Sequence, residues 1–190
     1  MPELPDILAY IAALEPRVVG KRLDRIRFAS PFLLRTFEPP VREAEGARVT
    51  AVRRLGKRIA LRLDNNIYIV FHLMISGRLH WRGAGVKLAG KRNLAALDFE
   101  NGSLLLTEAS SKKRASLHLV RGETALAEFE RGGLEVGEAD LAAFRAALTR
   151  ENHTVKRALT DPRLFLVSGT PIRTRSCTRP GFRRRSGRAA

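Results

Sequence analysis

The feature that most constrains this chain is a long series of short strand-like segments between residues 23 and 120. In the segments 23–28, 47–55 and 58–63 apolar and polar residues alternate, which is the period of a half-buried β-strand. Asn65-Asn66 and Asn101-Gly102 separate neighbouring segments and are typical of tight hairpin turns. We therefore predict an antiparallel sandwich or barrel. The predicted strands cover residues 23–28, 47–55, 58–63, 67–71, 78–82, 94–99, 103–107 and 115–120.

Helical periodicity appears on both sides of this strand region. Apolar residues at helical spacing predict an amphipathic helix over residues 5–18, before the first strand. After residue 122 the helical pattern returns and predicts helices over 138–148 and 153–159, the second with Asn152 as its cap. The apolar face of the 138–148 helix would carry Leu141, Phe144 and Leu148.

Composition excludes several classes of protein. The single cysteine argues against a disulfide-stapled secreted domain. No apolar run approaches the ~18 residues that a membrane span needs, and the N-terminus lacks the basic start and apolar stretch of a signal peptide. We therefore expect a protein of the reducing cytoplasm with no membrane partner. With 190 residues, 44% of them hydrophobic, the chain is long enough for one cored domain and part of a second.

The formal net charge of +16 points to a polyanionic partner. The charge is uneven, because residues 171–190 hold seven arginines and no acid, which leaves +9 over residues 1–170. Beyond residue 166 no helical or strand period survives. We predict a disordered basic tail over residues 167–190.

The N-terminus carries a candidate nucleophile. Removal of Met1 would make Pro2 a free secondary amine, and an α-amino group with a pKa of ~7.7–8.0 is partly unprotonated at neutral pH. Such an amine attacks carbonyl-type carbons and forms an iminium ion, and Glu3 beside it could move protons. The alternative is structural: Met-Pro is a common start, and Glu3 is an early helix acid favoured by the helix dipole.

Four further features are candidate phosphate contacts, and each has a structural alternative. The basic cluster 53–58 with Lys57 fits a phosphate site or a solvated strand edge. His72 closes an apolar strand, where a structural hydrogen bond is the alternative role. The basic loop 110–114 fits a phosphate contact or an ordinary turn. Lys156 stands near a helix N-terminus, where charge and backbone amides favour phosphate.

Together these residues resemble the formamidopyrimidine-DNA glycosylase and endonuclease VIII family of base-excision repair enzymes. The resemblance covers about residues 2–165, and its motifs match in order and spacing. They are Pro2-Glu3-Leu4-Pro5, Arg53-Arg54 with Lys57, His72-Leu73 with Ser76-Gly77-Arg78, and the stretch 156–165.

The resemblance implies an α+β fold in which an N-terminal helix packs on an antiparallel β-sandwich. It implies a catalytic domain over residues 1–122 and part of a helix–two-turn–helix domain over 123–166. It also implies a bifunctional glycosylase and abasic-site lyase that flips a damaged base out of double-stranded DNA. Catalysis would use Pro2, Glu3 and Lys57. DNA contacts would come from His72, Ile75, Arg78, Lys112, Lys113, Arg114 and Lys156.

The sequence departs from the family pattern at the residues that fill the DNA stack. Ile75 stands where the family usually has a methionine, with Met74 one place earlier. Apolar side chains of several kinds wedge between bases, so Ile75 retains that role. A family Arg-Phe pair has no clear match in residues 110–116, and Asp6 replaces a usual glutamate.

The resemblance stops after Phe165. The family continues with a Gly-x-Gly-Asn turn, a long helix and usually a four-cysteine zinc finger. Cys177 alone lacks the ligands of a tetrahedral zinc site, so we expect no metal and no cofactor in this chain. We hypothesise a one-nucleotide frameshift, because a family-like helix sequence read one nucleotide later can encode residues 170–178. Sequencing the gene tests this, and the absence of shifted coding for the helix and finger would contradict it.

Three functional hypotheses follow. The first is a monomeric, nucleoid-associated DNA glycosylase with lyase activity, impaired by truncation. The second is a non-enzymatic basic nucleic-acid binder, and the third is an inactive truncated remnant. Covalent trapping on abasic-site DNA separates the first from the others.

Overall fold

The computed structural model describes residues 2–129, 132–136, 139–161 and 163–165. The predicted basic tail 167–190, its arginines and Cys177 lie outside the described residues. The chain divides after Phe129 into two compact units. Within the described residues, no helix is long and apolar enough to cross a membrane.

The first unit begins with helix α1, Leu4–Val18. Pro5 suits its first turn because the missing N–H has no helical partner there, and the carboxylate of Asp6 accepts a hydrogen bond of 2.8 Å from the Glu3 backbone N–H. The helix buries Ile7, Leu14 and Val18. The predicted N-terminal helix is confirmed.

In the part of the chain that the structure describes, eight antiparallel strands form two four-stranded sheets, which confirms the predicted sandwich. One sheet has the order β1-β6-β7-β5 and the other the order β2-β3-β4-β8. The strands are β1 Leu23–Phe28, β2 Val49–Leu55, β3 Arg58–Leu63, β4 Ile67–His72, β5 Gly77–Arg82, β6 Asn93–Phe99, β7 Gly102–Glu108 and β8 Ser116–Arg121.

Strand β4 shows why one predicted segment is continuously apolar. Ile67, Ile69 and Phe71 face the main core that the two sheets and α1 enclose. Tyr68 and Val70 point to the opposite side, where they join a second apolar cluster with Leu126. Because both faces of β4 are covered, all its residues except the last are buried.

Three short helical elements were absent from the sequence prediction. They are too short to show a helical period. They are the 3₁₀ turn Pro31–Leu33, helix α2 Val41–Ala44 and helix α3 Gly122–Ala127. The segment after the 3₁₀ turn covers the free edge of β8, since the Arg35 N–H donates to the Leu117 carbonyl at 3.0 Å and Thr36 Oγ1 accepts from the Leu119 N–H at 2.8 Å.

The second unit contains helices α4, Leu141–Thr149, and α5, Val155–Thr160. Both begin later than predicted. The carboxylate of Asp140 caps α4 through the Ala143 N–H at 2.7 Å. The hydroxyl of Thr154, rather than Asn152, caps α5 through the Arg157 N–H at 3.3 Å.

The apolar face predicted for α4 is wrong at its first residue. Leu141 is 82% exposed, because it stands at the first position of a helix that begins later than the period indicated. Phe144 does pack inward, with its ring centroid 5.0 Å from that of Phe165. Leu148 also packs against this small core, which includes the buried Leu164.

The β6–β7 hairpin lies where the sequence predicted it, but its turn is shifted by one residue. Phe99 pairs with Gly102, so the turn residues are Glu100 and Asn101. Gly102 is instead required by a close approach. A Cβ there would lie 2.7 Å from Trp81 Cζ2 and 2.8 Å from the Arg82 carbonyl oxygen.

Replacing Gly102 with Ala is therefore expected to lower the free energy of unfolding by about 2 kcal/mol, as overpacked sites do. The matched control is Gly83→Ala, since a Cβ at Gly83 has no heavy atom within 4 Å. Urea denaturation of both variants measures the difference. Equal midpoints would contradict the close approach.

Candidate active site

The start of α1 and the β2–β3 turn bring together two residues that are 54 positions apart. Glu3 is the N-cap of α1, and Lys57 lies in the two-residue turn between Leu55 and Arg58. The Lys57 Nζ donates to Glu3 Oε2 at 3.0 Å. Both side chains are largely buried, with 19% of Lys57 and 15% of Glu3 exposed.

The second carboxylate oxygen of Glu3 lies buried next to the ion pair. Glu3 Oε1 is buried and has no hydrogen-bond partner among the described residues. A buried acceptor left without a donor is unfavourable, so this oxygen is suited to accept a proton or to bind an incoming group. Pro2, directly before it in the chain, is also buried. The arrangement places a carboxylate, an ammonium group and Pro2 at one end of α1.

Asp6 is a positioning residue that the sequence did not single out for this role. Its carboxylate accepts from the Glu3 backbone N–H and so fixes the backbone from which the Glu3 side chain leaves. The signal in the sequence was an acid three residues after the N-cap, a spacing that resembles a capping box.

The basic cluster 53–58 separates into different roles. The Arg53 guanidinium binds Glu123 at 2.8 Å, and the Tyr68 hydroxyl donates to the same carboxylate at 2.6 Å. The hydrogen bond from Tyr68, followed by that from Arg53, lowers the pKa of Glu123. Arg58 donates to the Phe129 carbonyl at 2.7 Å. Arg53 and Arg58 thus tie α3 and its end to the sheet, whereas Lys57 faces Glu3.

The loop from Leu73 to Gly77 displays Ile75. The Gly77 N–H donates to the Leu73 carbonyl at 2.9 Å and closes the loop. Met74 has a φ of 53°, and Ile75 is 53% exposed. A Cβ on Gly77 would lie 2.4 Å from the Leu73 carbonyl oxygen, so only glycine fits there. The sequence therefore builds a tight loop with an apolar side chain exposed.

The other proposed DNA contacts of the first unit lie around this loop in the fold. His72 ends β4 and pairs with Arg58 on one side and Ser116 on the other. Arg78 is exposed in β5, and its guanidinium donates to the Gly77 carbonyl at 2.7 Å.

Residues 109–115, which contain the basic loop 110–114, join β7 to β8. The side chains of Lys112, Lys113 and Arg114 are exposed, and the Lys113 ammonium donates to the Glu108 carbonyl. Glu108 itself is almost fully buried at the end of β7 and was missed by the sequence prediction. Its only signal was an acid that closes an apolar strand.

Lys156 belongs to the second unit. It is exposed near the start of α5. Throughout the described ranges, no group of three or more His, Cys, Asp or Glu side chains could hold a metal ion.

A half-buried histidine on β8 makes stability depend on pH. Burial, followed by the positive charges of Arg58 and Arg35, lowers the pKa of His118 below its usual 6.5. Its ring packs edge-on against Phe129 at 5.0 Å. The unfolded chain therefore binds a proton that the folded chain rejects, and stability is lost as the pH falls below about 6.5.

We expect the urea midpoint to decrease from pH 7.5 to pH 5.5, and His118→Gln to reduce that decrease, because glutamine takes up no proton. Denaturation curves of both proteins at the two pH values measure this. The same decrease in both would contradict the role of His118.

Comparison with known proteins identifies the family. The sequence model described as the formamidopyrimidine-DNA glycosylase N-terminal domain matches residues 1–130. Formamidopyrimidine-DNA glycosylase of Rhizorhabdus wittichii is 30% identical over 174 residues, which cover 89% of this chain and 63% of that protein. The Mycoplasma genitalium protein of the same name is 31% identical over 107 residues, covering 55% and 38%. This chain thus spans less than two thirds of the length of these relatives.

Solved structures agree on the fold. Lactococcus lactis formamidopyrimidine-DNA glycosylase, bound noncovalently to DNA that contains an abasic site, superimposes with a TM-score of 0.78 at 22% identity. The match covers 88% of this chain and 65% of that chain. A family model that spans well over half the sequence, together with this fold, shows that the chain belongs to the formamidopyrimidine-DNA glycosylase family.

Proposed function

We propose that this chain excises damaged bases from double-stranded DNA and then cleaves the abasic strand through a Schiff base on Pro2. The observation that carries the proposal is the pairing of Lys57 with Glu3 beside Pro2, which leaves one buried Glu3 oxygen without a hydrogen-bond partner among the described residues. Family membership supports base excision repair as its context.

The reaction uses the chain's own groups. The Pro2 nitrogen attacks the sugar C1′, and the bond between C1′ and the damaged base breaks with its electron pair leaving on the base. The Glu3 carboxylate takes the proton that the Pro2 nitrogen loses on attack and delivers it to the sugar ring oxygen as the ring opens, which makes the Pro2 nitrogen an iminium. The departing base takes a proton from water. Glu3, again a carboxylate, then takes the C2′ proton, and the electron pair of that C–H bond forms the C2′–C3′ double bond as the 3′ phosphate leaves. The scheme calls for no cofactor.

Lys57 connects DNA binding to this chemistry. Its ammonium group neutralises Glu3 in the free protein. A DNA phosphate next to the damaged nucleotide competes for the same ammonium group. As Lys57 turns to the phosphate, its hydrogen bond to Glu3 breaks and leaves that carboxylate available to the Pro2 proton. Binding of DNA thereby prepares Glu3 for proton transfer.

Duplex DNA is the proposed partner. The solved relatives include a Lactococcus lactis protein in complex with DNA that contains Fapy-dG. On this chain, Ile75 would enter the stack left by the flipped base, and Lys112 and Arg114 would bind phosphates with His72 and Arg78. In the second unit, Lys156 would add a phosphate contact. We further propose that the chain after Phe129 begins a helix–two-turn–helix domain and that the protein acts as a monomer at the nucleoid.

A second candidate is a non-enzymatic nucleic-acid binder, which the +9 charge over residues 1–170 favours. One experiment separates the two. The chain is incubated with a duplex that carries a formamidopyrimidine lesion, in a series of salt concentrations and with borohydride. Release of the base and a covalent adduct support the enzyme, whereas salt-sensitive binding without either supports the binder.

A further inference from the structure

Glu108 lies between the two loops that carry the proposed DNA contacts of the first unit. It is the last residue of β7 and only 1% exposed. Its two carboxylate oxygens face different loops. Oε1 accepts from the Ser76 hydroxyl at 3.2 Å, and Oε2 accepts from the N–H groups of Arg114 and Ala115 at 2.9 and 3.1 Å.

This carboxylate adds a direct link between two loops whose flanking strands already pair, His72 with Ser116 and Gly77 with Glu108 itself. Ser76 directly follows Ile75 on the 73–77 loop, and Arg114 stands in the basic loop. Hydrogen bonds to a charged acceptor are stronger than neutral ones, and an unpartnered carboxylate at this depth would be strongly unfavourable. The arrangement is therefore stable only when both loops are in place.

The backbone of Glu108 adds to the same junction. Its carbonyl accepts from the Lys113 ammonium, and its N–H donates to the Arg92 carbonyl at 2.8 Å. Opposite it in the sheet stands Gly77, the residue that closes the 73–77 loop. The side chain and the backbone of Glu108 thus hold the ends of both loops where they join the sheet.

We propose that Glu108 is a positioning residue that holds the exposed Ile75 at a fixed distance from the basic loop. Ile75, which enters the base stack, and the basic loop, which binds phosphates, then act on DNA as one rigid unit. Separating two stacked bases costs a few kcal/mol. A mobile loop would move away instead of separating the bases, so the loop that carries Ile75 has to be held rigidly. This inference rests on the proposed function, because Glu108 would position the DNA contacts that the proposed function uses.

Ser76→Ala tests the link, since it removes the bond to Oε1 and leaves both bonds to Oε2. Ser76→Thr keeps the hydroxyl. The matched control is Ser103→Ala, which removes another buried bond from a serine hydroxyl to a carboxylate, to Asp98 at 2.6 Å. Ser103 lies at the other end of β7, about 17 Å along the strand from Glu108.

Two readouts report on the wedge. The first is fluorescence of 2-aminopurine beside an abasic analogue in a duplex, which rises when bases unstack. The second is the ratio between the single-turnover rate on a damaged base, which must be extruded, and the trapping rate on an abasic site. Loss of a charge-assisted bond is expected to lower both the unstacking equilibrium and this ratio by about 10-fold in Ser76→Ala. Ser76→Thr and Ser103→Ala should stay within about 2-fold of wild type after correction for folded fraction.

The outcomes separate this inference from the proposed function. If the wild type unstacks DNA but forms no covalent adduct, the proposed chemistry fails, and the fluorescence of the variants still decides the role of Glu108. Equal unstacking by wild type and Ser76→Ala would overturn the inference. An equal loss in Ser103→Ala would also overturn it, because the effect would then be one of general stability. A wild type that unstacks no DNA overturns both.

Discussion

A version of this chain that keeps an N-terminal tag in front of Pro2 is expected to lose covalent capture of abasic-site DNA by about 10³-fold or more, as enzymes do when the nucleophile is removed. Within a peptide bond, the Pro2 nitrogen is an amide whose electron pair is delocalised, and it cannot form an iminium. In the structure Pro2 is buried beside Glu3. A lysine amine elsewhere on the surface is not placed beside the Glu3 carboxylate, so we do not expect it to replace Pro2.

Borohydride trapping on a duplex with an abasic site measures the adduct directly on a denaturing gel. The matched control carries the same tag after Ala190 and leaves Pro2 free once Met1 is removed. Equal trapping by both tagged proteins would show that another amine reacts and would rule out Pro2. Noncovalent binding, measured without borohydride, should stay similar in the two.

Glu3→Gln should reduce base excision by about 10² to 10⁴-fold, the range typical of a lost general acid. The glutamine oxygen can still accept the bond from Lys57, so the local structure is retained. What disappears is the proton that Glu3 delivers as the sugar ring opens. Capture of a preformed abasic site should fall less, since no base has to leave. Single-turnover excision assays on a lesion duplex measure the first effect and trapping measures the second.

The chain offers a control of the same chemistry. Glu100 forms an ion pair with Lys21 at 3.3 Å on the protein surface, away from α1's N-terminal turn. Glu100→Gln removes one negative charge as Glu3→Gln does, and should leave excision within about 2-fold, as surface ion pairs contribute little. An excision rate of Glu3→Gln close to that of this control would exclude Glu3 as the proton donor.

The β-sandwich was predictable because the spacing of apolar residues within each short segment is enough to indicate a strand. Alternation over β1 and β3 reproduces their bounds, since their regularly spaced apolar residues, such as Ile26, Ile59 and Leu61, face the main core. The sequence is less informative where a residue packs against parts of the chain that are distant in sequence. The uniformly apolar β4 depends on α3, which is too short to show a period. The turn at Glu100 and Asn101 depends on Trp81, which packs against Gly102.

The site was less accessible to sequence reasoning. Pro2, Glu3 and Lys57 came together through a family resemblance, because no spacing in the sequence indicates that residues 54 apart will meet. Arg53 and Lys57 look alike in a basic cluster, and only the position of Glu123 distinguishes them. Glu108 reads as an ordinary strand end. Its burial depends on two loops that fold over it.

The location of Glu3 at the first turn of α1 has a consequence for temperature. Helix ends fray at free energies far below that of global unfolding. Here the hydrogen bond that Asp6 accepts from the Glu3 N–H and the ion pair with Lys57 are two of the restraints on that turn. The reactive geometry therefore persists only as long as this end of the helix stays wound. On heating, activity should decline while the sandwich is still folded.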